Sequence, residues 1–169
     1  MAGQPARSVH LGVALDGAGW HPAAWREPDA RPADLLTAGY WTDLVTEAES
    51  GLLDFVSFED AFSLQSASRL GPDQRTDQVR GRLDSTLIAA RVAPLTSRIG
   101  LIPTVTVSHT EPFHVSKAIA SLDWVSSGRA GLRVKIAGRP DEAALFGRRT
   151  VPDGPGQRAD LMAETADYV

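Results

Sequence analysis

Four short stretches of this sequence hold side chains that could do chemistry. In "GWHPAAWR", residues 19–26, His21 stands between Trp20 and Trp25. Two indoles and an imidazole on one loop can shape an apolar substrate pocket, or they can simply pin the loop by burial, and both readings stay open. The pair Glu59-Asp60 follows an apolar run. Ionised carboxylates only accept hydrogen bonds, so the pair is either a ligand-facing acceptor or a cap for a nearby helix or loop. In "TVTVSH", residues 104–109, small hydroxyl residues at a strand end let a planar ring approach and can donate to it; the plainer reading is β-propensity. His109 is expected at the surface. In "GLRVKI", residues 131–136, alternation puts Arg133 and Lys135 on one strand face and Leu132, Val134 and Ile136 on the other. Two cations do not suit a dry core. They are predicted to face water or to bind an anion.

The elements that must position these groups alternate. Residues 9–15 read as a buried strand closing at Asp16-Gly17. Trp41, Leu44, Val45 and Ala48 fall at helical spacing, with Gly51 where a C-cap belongs. Residues 53–60 are a second strand. Residues 66–83 are polar and aperiodic, a long loop of the kind that usually carries function or is disordered. Asp84 is the expected N-cap of a helix that runs to Val92 and stops before Pro94. Residues 98–107 are a third strand, with Pro103 predicting an end to regular pairing. Pro112 opens a helix whose apolar face is Val115, Ala118, Ile119, Leu122 and Val125. Residues 131–136 are a fourth strand, and residues 157–169 a last helix.

The chain of 169 residues is long enough for a single domain with a real core. It is 43% hydrophobic and 22% charged, as soluble globular proteins are. A net charge of −4 without a basic stripe argues against nucleic-acid binding. The absence of cysteine excludes thiolate catalysis, disulfides and Cys-ligated zinc. No apolar run approaches the roughly 20 residues of a membrane span, and the N-terminus lacks a signal-peptide pattern, so the expectation is cytoplasmic. Strict β/α alternation implies parallel strands joined by right-handed crossovers. Either an open doubly wound sheet or half of a TIM-type (β/α)8 barrel satisfies it, since a full barrel needs about 250 residues. No dinucleotide fingerprint follows the first strand.

Four blocks carry a family resemblance: "GWHPAAWR" (19–26), "AESGLLDFVSFED" (48–60), "TSRIGLIPTVTVSHTEPFHVSKAIASLDWVSSGRAG" (96–131) and "ALFG" (144–147). Together they resemble the N-terminal half of the luciferase-like flavin-dependent monooxygenases, in the subgroup of the nitrilotriacetate and long-chain alkane enzymes. The resemblance implies an α/β fold of parallel β/α units forming about half of a TIM-type barrel. It implies reduced FMN supplied by a separate flavin reductase, with a deazaflavin as the related option, and a small organic substrate oxidised with O2. It puts Asp60, Thr104 and Thr106 at the flavin and makes His21 and Trp25 candidates for the substrate pocket. It names no catalytic side chain and no metal. Ser127-Gly128-Arg129 resembles the family's tight helix-to-strand corner, where Gly128 tolerates positive φ and Arg129 can bond helix C-terminal carbonyls.

The chain also departs from the family. Leu132 and Arg133 stand where a Trp-Asn pair is usual. Arg158 is kept from a His-x-x-Arg-Tyr pattern, but Pro155 and Ala159 replace its His and Tyr. Four β/α units would leave two open sheet edges, which invite pairing. The expected partner is therefore a second copy or a complementing second half. The alternative function is a non-catalytic, truncated or degenerate paralogue acting as an oligomerising subunit.

Overall fold

The computed structural model describes residues 8–66, 73–148, 150–151 and 155–168. The strands are β1 (Gly12–Leu15), β2 (Phe55–Phe58), β3 (Gly100–Thr106) and β4 (Arg133–Lys135). The helices are α1 (Ala38–Ser50), α2 (Ser85–Val92), α3 (Pro112–Ser126), α4 (Pro140–Phe146) and α5 (Pro155–Tyr168). All strand pairs are parallel, in the order β1-β2-β3-β4. A doubly wound sheet reverses its strand order partway. This one does not, and right-handed crossovers between successive neighbours put the connecting helices on one side. The architecture is thus four consecutive β/α units of a TIM-type barrel.

The helix-facing side of the sheet is the core. Val56, Phe58 and Leu101 are buried against Trp41, Val45 and Ala48 of α1, Ile88, Ala89 and Val92 of α2, and Leu122 of α3. Each fully buried side chain of this size contributes about 1.5–3 kcal/mol. Trp41 completes its burial by donating Nε1–H to the Leu35 carbonyl, 2.9 Å away.

The local signals explain most element ends. The Asp84 carboxylate accepts from the Leu87 N–H at 2.9 Å and starts α2 as its N-cap. The N–H of Gly51 closes α1 onto the Glu47 carbonyl. Pairing between β2 and β3 stops at Pro103, which has no N–H. The strand itself continues, because Thr104–Thr106 changes partner and pairs with β4. The sequence reading missed α4. Its signals are Pro140 in the first turn, Asp141 and Glu142 beside it, and Gly147 at φ 61° as left-handed C-cap. Within the long loop, residues 67–72 lie outside the described residues.

The corner after α3 is tighter than one glycine explains. Ser127 and Gly128 both take positive φ, at 58° and 82°. The Gly128 N–H then bonds the Asp123 carbonyl at 2.9 Å, closing the helix in a Schellman-type turn. Arg129 follows at once, and its guanidinium fans over three chain segments. It donates to the carbonyls of Ser126 (2.6 Å), Ala93 (2.8 Å), Ile99 (2.9 Å) and Thr96 (3.2 Å), and to Thr96 Oγ1 (2.9 Å). Glu49 plays the matching role with opposite sign. Its Oε1 accepts from the N–H groups of Ser97, Arg98 and Ile99 at 2.6–3.0 Å. Partial desolvation opposes ionisation of Glu49, but the three N–H donations outweigh it and hold the carboxyl below its ordinary range.

Replacing Arg129 by Met should cost about 3 kcal/mol or more, because several carbonyls lose their donor at once. Arg129→Lys should recover less than half, since an ammonium cannot span the same fan; urea denaturation measures both. Glu49→Ala should cost about 1–2 kcal/mol at neutral pH. The folded pKa is depressed, so this contribution is complete above the ordinary value of 4.5 and fades as pH falls through the lower folded value. The wild-type and Glu49→Ala denaturation midpoints should therefore converge in acid.

Candidate active site

In a β/α barrel the chemistry gathers at the C-terminal ends of the strands. The face opposite the helices is built in rows. Gly12 admits the ring of Phe55, which a Cβ there would meet at 2.2 Å, and Gly131 admits Ile102, which a Cβ would meet at 2.9 Å. These close approaches make the floor. One row higher, Phe58 pairs with Pro103 and Thr104 with Arg133, so Glu59, Thr104 and Arg133 follow side by side. Glu59 forms an ion pair with Arg133. Thr106 pairs with Lys135 in the row above.

Register therefore explains the two cations. Both lie on the inner face, as alternation predicts, but neither of the two expected roles describes them fully. Arg133 has a partner in Glu59, which is almost wholly buried. Lys135 is half-buried and donates from Nζ to the backbone carbonyl of Asp60 at 2.7 Å. Burial, Arg82 and Arg133 push the Lys135 pKa down, while Glu142 and Asp60 act against the shift. Pairing Glu59 with Arg133 needs only the strand register, which sequence alone did not supply.

Asp60 is committed on both oxygens. Oδ1 accepts from the Ala61 N–H at 2.7 Å and Oδ2 from the Ser85 N–H, the first residue of α2, at 3.0 Å. Burial pushes its carboxyl up, and Asp84 adds to the rise against those N–H bonds. Thr104 is 1% exposed, and its Oγ1 has no hydrogen-bond partner among the described residues. Asp60, Thr104 and Thr106 line one cleft of about 290 Å³, shared with Phe62, Thr86 and His114.

His21 and Trp25 line a different cleft of about 390 Å³, between the loop after β1 and the end of β4. Trp20 donates Nε1–H to the Ala14 carbonyl at 2.8 Å and so fastens that loop over β1. His21 Nδ1 accepts from the Ala23 N–H at 3.1 Å. Trp25 keeps a buried Nε1–H without an acceptor among the described residues, with the Arg26 guanidinium 4.9 Å above its ring. Lys135, Arg82 and Arg139 complete the wall. Arg82 forms a two-pronged ion pair with Asp16, both bonds 2.9 Å, and both side chains are nearly buried. The five residues proposed from sequence thus fall into two neighbouring clefts, joined where Lys135 meets Asp60. Asp16, Arg82 and Arg139 were missed, and only the Asp-Gly turn after β1 hinted at the first of them.

His109 is not at the surface. It is 8% exposed and stacks on Phe146 at 4.8 Å between ring centroids, with Phe62 at 6.4 Å. The unrecognised α4 supplies Phe146, which is why the sequence reading left His109 outside. Ala159 lies exposed on α5, and the side chain of Pro155 lies outside the described residues.

Parallel β/α units with ionic and hydroxyl groups collected at the C-terminal strand ends have the layout of a β/α-barrel protein. The luciferase-like monooxygenase family model matches residues 17–169, and the chain belongs to that family. It is 37% identical over 140 residues to the N-acetyl-S-(2-succino)cysteine monooxygenase of Bacillus subtilis (strain 168), covering 83% of this chain and 30% of that protein. It is 30% identical over 168 residues to component A of the nitrilotriacetate monooxygenase of Aminobacter aminovorans, covering 96% and 36%. It superimposes with a TM-score of 0.78 and 26% identity on a riboflavin lyase solved with a modified FMN and riboflavin, covering 95% of this chain and 37% of that one. The chain spans about a third of the length of the curated relatives it matches.

Replacing Asp16 by Asn should strand a nearly buried guanidinium. The expected cost is about 3 kcal/mol, read as a lower urea midpoint. An unchanged midpoint would mean that Arg82 finds another partner.

Proposed function

We propose that this chain contributes the flavin and substrate walls of a two-component monooxygenase. The buried hydroxyl of Thr104, unpartnered among the described residues, carries the reading: it sits at the C-terminal end of β3, where this family's barrel concentrates its chemistry. An orphaned buried hydroxyl costs about 1–3 kcal/mol and calls for a partner. A flavin ring offers donors and acceptors along its edge, so the residues present fit the group. In this reading Thr104 and Thr106 hold FMN from the strand end. Asp60 accepts from it with the lone pairs that Ala61 and Ser85 leave free.

Reduced FMN, when bound, supplies the activation of O2. The chain's own side chains bind, orient and exclude water. Trp20 and Trp25 wall the adjoining cleft, and His21 faces the small organic substrate there. A separate flavin reductase delivers the reduced cofactor; the name of the Aminobacter relative, a component A, supports this division of labour. The names of both curated relatives support monooxygenation of a small molecule. β1 and β4, the edges of this sheet, pair with a complementing barrel half or with a second copy.

One observation favours the second reading, a non-catalytic oligomerising subunit. The Glu59–Arg133 ion pair spans the inner face across the Thr104 position, and Leu132-Arg133 stands where the family usually has Trp-Asn. A fluorescence titration of the folded chain with FMN, and in parallel with a deazaflavin, separates the two. The monooxygenase reading expects saturable FMN binding that weakens about five- to tenfold in Thr104→Val, the worth of one buried hydrogen bond. No binding by folded protein would favour the subunit reading, and unchanged affinity in Thr104→Val would remove Thr104 from the site.

A further inference from the structure

We infer that the cleft lined by Trp20, His21, Trp25, Arg82, Lys135 and Arg139 takes a small carboxylate-bearing substrate, its anionic end seated on Lys135. Calling the ligand a substrate rests on the monooxygenase reading; the anion site does not. Four cations gather near this strand end. Arg82 is held by Asp16, Arg133 by Glu59 and Arg139 by Asp141. Lys135 is different. Among the described residues no carboxylate lies within 4 Å of it, and its one hydrogen bond goes to a neutral carbonyl. An ammonium has three N–H donors, so two remain for a ligand.

The rest of the cleft fits an organic acid. Its volume of about 390 Å³ is at the small end of ligand pockets, which run from about 300 to 1,000 Å³. That suits a compact acid rather than a flavin with its ribityl phosphate. Trp20 and Trp25 give an apolar wall, and the buried Trp25 Nε1–H has no acceptor among the described residues. Arg82 and Arg139, although paired, add positive potential behind the seat. A bound carboxylate would give Lys135 the contact-distance counter-charge it lacks, from a group that burial makes more effective than in water.

The same oxyanion chemistry could come from a phosphate, and the test separates the sources. Calorimetric titration of the full chain at low ionic strength uses succinate, its neutral analogue succinamide, inorganic phosphate, riboflavin and FMN. The expected result is saturable succinate binding, with succinamide and phosphate at least about tenfold weaker. Lys135→Gln keeps a donor for the Asp60 carbonyl and removes the charge; it should lose about tenfold or more in succinate affinity, while Lys135→Arg retains most of it. Absent succinate binding, equal binding of succinamide, or unchanged affinity in Lys135→Gln would overturn the assignment. So would displacement of succinate by FMN and phosphate but not by riboflavin, which would make the cleft a phosphate seat. If Lys135→Gln does not fold, the succinate and succinamide comparison on the unaltered chain decides. Succinate binding without any flavin binding would remove the monooxygenase reading and leave the anion site standing.

Discussion

The guanidinium of Arg129 is the interaction on which the sheet's geometry depends. It gathers carbonyls from the end of α2, the turn into β3 and the end of α3. Each is a backbone group at an element end, where intrahelical partners run out. A planar fork with five donors can satisfy several at once and fix their mutual distances. The backbone of Arg129 continues the work, since its carbonyl accepts from the Leu101 N–H and Gly131 donates to the Leu101 carbonyl. That pair of bonds sets where β4 meets β3. A slip of one residue would turn Arg133 and Lys135 into the helix-packed core. Glu49 braces the same turn from α1, so one cation and one anion hold opposite sides of the entry to β3.

With the register fixed, the inner face follows by counting. Small residues stand where bulky ones cross: Gly12 below Phe55, Gly131 below Ile102. Above that floor, charge enters in compensated pairs. Glu59 faces Arg133 across the width of β3, and Asp16 grips Arg82 at the neighbouring corner. A buried ion pair is weak evidence for stability, because desolvation offsets most of its attraction. Its effect here is positional, since each pair holds a loop at a strand end. Tyr40 adds a neutral tie, donating from its hydroxyl to the Gly17 carbonyl and joining α1 to the loop after β1.

The sequence was most legible where local physics decides. Residue preference located all four strands, although β1 is only Gly12–Leu15 and is half-exposed rather than buried, and alternation put Arg133 and Lys135 on one face. Capping residues marked the start of α2 and the corner at Ser127-Gly128. Alternation of β with α did not choose between barrel and doubly wound sheet; strand order did, and that is a long-range property. Local signals for α4 were present but lay in a stretch rich in Gly and Pro, and missing them misplaced His109, whose burial depends on Phe146. The partners of Arg133 and Arg82 were illegible for a related reason. Glu59 lies 74 positions from Arg133 and Asp16 lies 66 from Arg82, so only the folded register brings them together.

The departures from the family pattern are coupled to each other rather than independent losses. Glu59 is the buried member of its pair, and the half-exposed Arg133 is the cation that makes that burial tolerable. Once Arg133 and Arg82 are each held by a carboxylate, they no longer need a ligand, but their fields still reach Lys135 and lower its pKa together with burial. Among the described residues Lys135 bonds the Asp60 carbonyl, on the same residue whose carboxylate accepts from the first N–H of α2. The outcome is a gradient across the strand ends. On the β3 side a neutral hydroxyl, Thr104, is buried without a partner among the described residues. On the cleft side an ammonium, Lys135, has no carboxylate within contact distance among the described residues. A neutral planar group and an anion would satisfy the two in neighbouring clefts, as the proposed cofactor and substrate do.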